Sequence, residues 1–345
     1  MRSAARKLMH SFDAIVCRSF GGPEVLTYGA RDALGSPAAG QVIVQMAAAG
    51  VNPSDTYVRL GPGGPYANNP KLIPTLPFTP GKDGAGTVVA VGDGVTGLTP
   101  GARVYTTGSI SGTYAAYALC GMDQLHPLPD NITFAQGACV GVPCATAYRA
   151  LHLRCKVQPG DTVLVHGASG AVGLAAVQLA VAAGCVVVGT AGTAAGEAAV
   201  RAAGAVAVNH REDAYVERAM ASLPADKGGK FDIVLEMAAH TNMLQDIVML
   251  RHGGQLAVVG SKAEAVPFNP RLLMPAEVSI HGVFLSTASA AEKQQTHAAL
   301  FDAMVSGALT PVVGVELPLS EAATAHKEVM QPSSGGKVGN IVLVV

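Results

Sequence analysis

The sequence predicts an α/β protein in which a β-rich domain precedes a doubly wound parallel sheet. From about residue 141, short apolar segments alternate with segments of helical length, which is typical of consecutive βαβ units. Before about residue 135, short strand candidates are bounded by Gly and Pro. The 345 residues are enough for two domains of ordinary size.

The β-rich domain is predicted to contain strands at residues 41–46, 86–92 and 102–106. Residues 61–80 hold six of the 21 prolines, and this segment is expected to be a loop because Pro is excluded from helix and central-strand interiors. The C-terminal segment NIVLVV is expected to return to this domain as a strand. Extension of the second sheet by the same strand is the alternative.

The second domain is expected to span residues 139–286, with residues 1–138 and 287–345 forming the first. Residues 281–286 are interpreted as a sixth strand at the edge of its sheet, where a second subunit could pair with it. The remaining strands and helices are predicted at 162–167, 170–183, 185–190, 194–203, 205–209, 231–237, 255–260 and 290–306.

Composition excludes several classes of protein. A net charge of −1 and 14% charged residues argue against a polyanion-binding protein driven by bulk charge. Six scattered cysteines without a CxxC pair favour a reducing, cytoplasmic location, although the basic N-terminus leaves a short mitochondrial presequence open. Residues 171–189 are apolar enough to span a bilayer, but Gly184 and a β-branched second half indicate a helix followed by a buried strand.

The strongest chemical motif is VHGASGAVG, in which Gly167, Gly170 and Gly173 follow a predicted strand and open a predicted helix. In such motifs the glycines allow a tight turn, close approach of the backbone to a pyrophosphate, and close packing of helix on sheet. The helix N-terminus then offers free N–H groups to the phosphates. The sequence therefore predicts a dinucleotide-binding Rossmann domain.

The residues after the second strand favour NADPH over NADH. An acidic residue that would bind the ribose 2′-hydroxyl of NAD is absent from GTAGTAAG, since the first acid is Glu197. His210 and Arg211, after the third strand, are the nearest candidates to bind a 2′-phosphate, and an ordinary solvated turn is the alternative interpretation.

Taken together, these features resemble the medium-chain dehydrogenase/reductase superfamily, which implies that the β-rich domain is GroES-like. The superfamily's zinc alcohol dehydrogenases bind catalytic zinc at positions that correspond here to Asn52, Lys82 and about Val142. Zinc sites use thiolate, imidazole or carboxylate ligands, which none of the three residues provides. We therefore expect no zinc.

A more specific resemblance is to the zeta-crystallin family of NADPH:quinone oxidoreductases. It covers nearly the whole chain and is carried by ISGTYAAYAL, VHGASGAVGLAA, GTAGT, NHRE and HGGQLAVVGS. The Pro-rich segment 61–80 is longer than the family's loop. The resemblance implies an NADPH-dependent, zinc-independent reductase of quinones, which would pass either single electrons, giving semiquinones, or a hydride.

The resemblance also implies which residues contact the cofactor. These are Tyr57, Ser169, Gly170, Ala171, Val172, Gly192, His210, Asn242, Val259, Gly260, Ser261, Lys262, Val283, Phe284 and Leu285. Of these, Asn242 is interpreted from the sequence as opening a helix, where it could equally be a cap. Lys262 could equally be a solvated surface residue.

Without a metal, hydrogen-bond donors must stabilise the negative charge that develops on a quinone oxygen. Asn52 and Tyr57 are the candidate catalytic residues, and Tyr66 from the long loop is a third. A reductase of enone or alkenal C=C bonds is the alternative enzyme. The non-enzymatic alternative is a crystallin-like structural protein or an AU-rich RNA-binding protein, which no basic run supports. The resemblance implies a homodimer or homotetramer.

Overall fold

The computed structural model describes residues 10–261, 265–333 and 335–345. The described residues divide into two compact units: 10–142, 313–333 and 340–345 form the first, and 143–261, 265–312 and 335–339 form the second. This division differs from the expected one, which assigned all of 287–345 to the first domain. Helix Ala290–Ser306 belongs to the second unit, where Glu292 near its start pairs with the buried Arg149 at 3.0 Å.

The first unit is built on a mainly antiparallel sheet in which one pair of strands is parallel. Its strands are β1 (Phe12–Val16), β2 (Thr27–Arg31), β3 (Gln41–Val51), β4 (Asp83–Val91), β5 (Arg103–Thr107), β6 (Tyr117–Gly121), β7 (Leu125–Pro127), β14 (Val313–Pro318) and β15 (Asn340–Val344). The main sheet has the order β14-β15-β3-β4-β5-β7, β6 also pairs with β3, and β1 and β2 form a separate pair. Its helices are α1 (Pro53–Leu60), α2 (Phe134–Gly137) and α9 (Ala322–Met330).

Strand β3 is longer than predicted because its small residues continue the pairing. Ala48–Gly50 lie opposite both β4 and β15, and Val51 lies opposite β15. The return of the C-terminal strand to the first domain is confirmed, since β15 pairs antiparallel with β3 and parallel with β14. The Pro-rich segment 61–80 is a loop with short 3₁₀ turns at Gly61–Gly63 and Pro70–Leu72, as predicted.

The second unit contains a six-stranded parallel sheet. Its strands are β8 (Thr162–Val165), β9 (Val186–Ala191), β10 (Val206–Asn209), β11 (Phe231–Glu236), β12 (Leu250–Val258) and β13 (Ser279–Gly282). Its helices are α3 (Ala145–Tyr148), α4 (Ala171–Ala182), α5 (Ala194–Ala202), α6 (Tyr215–Ala221), α7 (Ala239–Met249) and α8 (Ala290–Ser306). The strand order is β10-β9-β8-β11-β12-β13, so the order reverses between β8 and β11. In doubly wound sheets, ligands bind at the carboxyl ends of the strands beside this switch point.

The apolar segment 171–189 is a helix followed by a buried strand, as predicted. Helix α4 ends at Ala182, Gly184 adopts a φ of +81°, and β9 follows. Among the described residues, no helix has the length and apolar character needed to cross a bilayer.

The edge strand of this sheet lies slightly earlier than predicted. β13 covers Ser279–Gly282, whereas the prediction placed a strand at 281–286. Pairing with β12 continues to Val283, whose N–H donates to Val258 O, and the chain then turns at Leu285–Thr287.

Candidate nucleotide and substrate site

The predicted phosphate loop forms a tight turn at the N-terminus of α4. Gly167 has a φ of +58°, a left-handed conformation that favours glycine. A Cβ atom on Gly173 would lie 2.4 Å from Gly167 O and 2.6 Å from Ala168 Cα, so only glycine lets the helix pack this closely on the turn. Gly170 precedes the helix with no side-chain cap. The first N–H groups of α4 therefore remain available to an anion.

The helix residues Ala171 and Val172 contribute these amides, so their predicted role depends on the backbone and not on their side chains. Ser169 joins the loop to a segment near the C-terminus, because its carbonyl accepts a hydrogen bond from Gly339 N at 2.8 Å. The twelve-residue helix directs its positive dipole end at this loop. These features fit a dinucleotide pyrophosphate.

The two candidates for a 2′-phosphate lie together at the end of β9. A Cβ atom on Gly192 would lie 2.8 Å from both Arg211 Nε and His210 Nε2. Burial, together with the neighbouring Arg211, lowers the pKa of His210, so its imidazole is neutral at pH 7. Glu197 is turned away, since it accepts from Asn209 Nδ2 at 3.0 Å and pairs with Arg201 at 3.3 Å. Arg211 therefore supplies the positive charge.

The remaining predicted cofactor residues follow strands β11, β12 and β13. Asn242 does not cap α7, which begins at Ala239; its Nδ2 instead donates to Glu236 Oε1 at 3.3 Å. Val259 N and Gly260 N both donate to Glu236 O, which aligns the ends of two strands. Ser261 follows them, Val283 is buried, and Phe284 and Leu285 are more exposed. Lys262 lies outside the described residues.

The positions compared with a zinc site are brought together in the first unit. Asn52 Nδ2 and Val142 N both donate to Asp83 Oδ2, at 2.9 Å and 2.8 Å. The only candidate metal ligand among these groups is therefore one carboxylate, which is surrounded by N–H groups. The ammonium of Lys82 is next to it in sequence. Because zinc needs several anionic or imidazole ligands, these residues do not fit a zinc ion.

Tyr57 and Tyr66, the two predicted phenol donors, are in edge-to-face contact with ring centroids 5.6 Å apart. Burial raises the pKa of Tyr57, and burial with the nearby Tyr57 and Asp55 raises the pKa of Tyr66 to about 12. Both hydroxyls therefore remain protonated at neutral pH and can donate. Asn52 is only 2% exposed and its amide is bonded to Asp83, so Tyr57 is the more accessible donor.

A buried hydrogen-bonded chain anchors the helix that carries Tyr57. Asp55 Oδ2 accepts from Asn52 N at 2.9 Å and from Tyr114 Oη at 3.3 Å. His326 Nε2 lies 3.3 Å from Tyr114 Oη, and its Nδ1 lies 3.1 Å from Arg59 Nη1. Since Arg59 only donates, Nδ1 accepts and Nε2 carries the ring proton. Helices α1 and α9 are thus fixed to each other at the base of Tyr57.

A measurable pH dependence follows from Asp83. Burial raises its pKa to about 7, and the nearby Asp55 also raises it. The folded protein then holds a proton that the unfolded chain releases near pH 4, so this carboxyl makes the free energy of unfolding fall as the pH rises from about 4 to 7. We expect Asp83→Asn to remove this contribution, at most ~1.4 kcal/mol per pH unit, in denaturant titrations across that range.

The matched control for this prediction is Asp130→Asn, because the side chain of Asp130 in the same unit is fully exposed. It is expected to retain the wild-type slope. Identical slopes for wild type and Asp83→Asn would contradict the prediction.

The sequence did not single out Asp55, Asp83 or Tyr114 as site residues. It also missed a second buried cluster formed by His166, Glu236 and Asp246. Nitrogen and oxygen atoms of its three side chains lie within 4.8 Å of one another, a spacing that could hold a cation. The 2.8 Å contact between His166 Nε2 and Asp246 Oδ1 is instead that of a hydrogen bond.

Comparison with known proteins gives the family. Residues 38–130 match the alcohol dehydrogenase GroES-like domain, and residues 171–303 match the zinc-binding dehydrogenase family. The chain is 43% identical to the quinone oxidoreductase of Homo sapiens over 345 residues, covering 99% of this chain and 100% of the human one. The chain belongs to the quinone oxidoreductase family of medium-chain dehydrogenases/reductases. The predicted resemblance and the fold of a GroES-like domain with a Rossmann domain are confirmed.

Two further relatives agree with this family. The quinone oxidoreductase of Lama guanicoe is 44% identical, with 96% of this chain and 97% of the relative covered. The crystal structure of the Escherichia coli quinone oxidoreductase complexed with NADPH superposes with a TM-score of 0.82 at 29% identity, covering 96% of this chain and all of that chain. The family description mentions zinc, which the residues around Asp83 do not fit.

Proposed function

We propose that this protein is an NADPH-dependent quinone reductase that acts without zinc. The observation that carries the proposal is the loop Gly167–Gly173, whose close-packed glycine and uncapped helix N-terminus fit a pyrophosphate. The full-length similarity to quinone oxidoreductases supports quinone as the substrate class.

In this proposal the residues of the second unit hold the cofactor. The first amides of α4 bind the pyrophosphate, Arg211 binds the 2′-phosphate, and the turns after β11, β12 and β13 bind the remainder. When bound, NADPH supplies the reducing equivalents. The protein's own contribution is to orient the nucleotide and to provide a neutral hydrogen-bond donor for the substrate.

Tyr57 is the proposed donor to the quinone oxygen. Its raised pKa keeps the hydroxyl protonated, so it can stabilise the negative charge that develops on that oxygen as the quinone is reduced. Tyr66 packs against Tyr57 and limits its rotation, and Asn52 holds the start of helix α1 through Asp83. These roles require no proton loss from either tyrosine.

We expect Tyr57→Phe to lower kcat/KM for 1,2-naphthoquinone by roughly ten- to a hundredfold, the value of one hydrogen bond to a charged oxygen. Phenylalanine keeps the ring contact with Tyr66, so the stability should stay close to wild type. Stopped-flow NADPH oxidation measures the effect. Tyr28→Phe, at a half-exposed tyrosine in β2, is the matched control and should leave turnover intact.

Unchanged quinone turnover in both Tyr57→Phe and Asn52→Ala would eliminate the proposed donor arrangement. The same assay with an α,β-unsaturated ketone tests the alternative reaction at a C=C bond. A large preference for the enone would reject quinones as the substrate class. Detection of an organic radical by electron paramagnetic resonance during turnover would distinguish transfer of single electrons from transfer of a hydride.

We also propose that the protein is a cytoplasmic homo-oligomer, either dimer or tetramer. None of the six cysteines, all of which lie within the described residues, forms a disulfide, which fits a reducing compartment. Strand β13 forms an open edge of the parallel sheet and could pair with the same strand of a second copy. Light scattering after gel filtration measures the oligomeric state, and a monomer would reject the proposal.

A further inference from the structure

The buried cluster of His166, Glu236 and Asp246 lies at the switch point of the parallel sheet. His166 follows β8 and immediately precedes Gly167, while Glu236 is the last residue of β11. Asp246 reaches the same place from helix α7. The three residues are only 3%, 0% and 0% exposed. The cluster thus supports, from inside the protein, the edge of the sheet at which a dinucleotide binds.

The cluster places two buried carboxyl groups close together beside one imidazole. His166 Nε2 lies 2.8 Å from Asp246 Oδ1 and 3.7 Å from Glu236 Oε2. One nitrogen or oxygen atom of each of the three side chains lies within 4.8 Å of the other two. Neither Glu236 Oε2 nor Asp246 Oδ2 accepts from any N–H or O–H of the described residues. Two carboxylates buried this close together repel each other, which favours a proton on one of them.

The surrounding groups do not neutralise a second negative charge. Tyr215 of α6 faces the cluster, with its ring 6.4 Å from that of His166 and its hydroxyl bonded to Gln245. His210, after β10, is close enough to interact with His166 but is itself neutral at pH 7. Thr190 of β9 contributes only a hydroxyl, 3.4 Å from His166 Nδ1. Burial raises the pKa of Glu236 and of Asp246 to about 7.

The same side chains hold the backbone and the amide that are proposed to contact the nucleotide. Glu236 Oε1 accepts from Ala238 N and from Asn242 Nδ2. Thr190 Oγ1, beside His166, accepts from Gly167 N at 3.2 Å in the phosphate loop. A change of charge in the cluster therefore acts on both turns that flank the switch point.

We propose that Glu236 is a positioning residue for NADPH, which shares one proton with Asp246 beside His166 and holds Asn242 and the phosphate loop in their binding geometry. This inference rests on the proposed function, since it assumes that NADPH binds at this loop. Loss of the proton places two adjacent negative charges beneath the phosphates, separates the carboxyl groups and weakens nucleotide binding.

The test is the dissociation constant for NADPH between pH 6.5 and 9, measured by fluorescence titration. For wild type we expect Kd to rise about tenfold over this range. In Glu236→Gln the amide replaces the protonated carboxyl and cannot lose a proton, so its Kd should vary less than threefold. Glu217→Gln, at an exposed position of α6, is the matched control and should show the wild-type profile.

A second measurement does not depend on nucleotide. The folded protein retains the proton on Glu236 to about pH 7, whereas the unfolded chain loses it near pH 4.5. The thermal stability of wild type should therefore fall relative to Glu236→Gln as the pH rises through this window. Parallel pH profiles of the two proteins, in stability or in Kd, would overturn the shared proton.

The presence of one tightly bound divalent cation per chain in the purified protein, detected by elemental analysis, would also overturn it. Binding of NADPH that is independent of pH would reject this inference and leave the proposed function intact. Absence of NADPH binding at every pH would reject the proposed function as well.

Discussion

Alanine in place of Gly173 is expected to weaken NADPH binding by about a hundredfold, or ~2.7 kcal/mol. The added Cβ would lie 2.4 Å from Gly167 O and 2.6–2.8 Å from the backbone of Ala168, none of which can move without displacing the turn. Helix α4 must then move away from the loop, which misplaces the amides that bind the pyrophosphate. Overpacking of this kind also costs about 1–3 kcal/mol of stability. Equilibrium binding and denaturant unfolding measure the two effects.

Gly170→Ala is the matched comparison, because it separates a loss of binding from a loss of folding. The nearest atom to its added Cβ is Gly167 O at 3.4 Å, and its backbone φ of −76° suits alanine. We therefore expect stability within about 0.5 kcal/mol of wild type. In such motifs the middle glycine lets the backbone approach the pyrophosphate, so we expect the added methyl group still to raise Kd about tenfold. Wild-type affinity in both variants would show that the dinucleotide does not bind at this loop.

The features of this loop could be predicted from the sequence because their causes are local. Three glycines within seven residues, a preceding apolar strand and a following apolar helix are all visible in one short window. Helix Ala290–Ser306 was likewise predicted with its observed bounds, and in the structure Ser289 accepts from Glu292 N and Glu292 accepts from Ser289 N at its start. A reciprocal cap of this kind involves only four consecutive residues, so it can be recognised in the sequence.

The buried polar clusters could not be predicted, because their partners are far apart in sequence. Asp83 is 31 residues from Asn52 and 59 from Val142, and Tyr114 is 212 residues from His326. No local spacing marks such pairs. A weaker sequence signal of a buried polar cluster is a charged residue inside an apolar strand. Glu236 in the segment FDIVLEM is such a residue. Burial of that carboxylate requires a partner, and only the fold identifies which one.

The assignment of Asn242 shows how a local interpretation can be wrong. A residue soon after a strand and at the start of a helix suits a cap, which the sequence left open as an alternative to a cofactor contact. In the structure α7 begins three residues earlier, so Asn242 lies within its first turn and faces Glu236. Because the helix starts earlier than predicted, the Asn242 side chain does not cap the helix and instead contacts Glu236 at the end of β11.

Arg211→Gln is expected to reduce the affinity for NADPH by about ten- to a hundredfold and to leave that for NADH within twofold. A charge-assisted hydrogen bond to a phosphate contributes about 1.5–3 kcal/mol, and NADH lacks that phosphate. His210 cannot replace the lost charge, because burial and Arg211 lower its pKa and its neutral ring offers only a single hydrogen bond. Dissociation constants for both nucleotides, measured at one pH and ionic strength, give the ratio.

Arg201→Gln is the control for this change, since Arg201 pairs with Glu197 on the same side of the sheet and is not placed at the nucleotide. It should alter the affinities for NADPH and NADH equally or not at all. An equal loss of both nucleotides in Arg211→Gln would show that Arg211 supports the loop through its bond to Gly335 O and does not read the 2′-phosphate. A selective loss of NADPH would mean that the preference rests on this arginine, because the end of β9 carries no acid that rejects a phosphate.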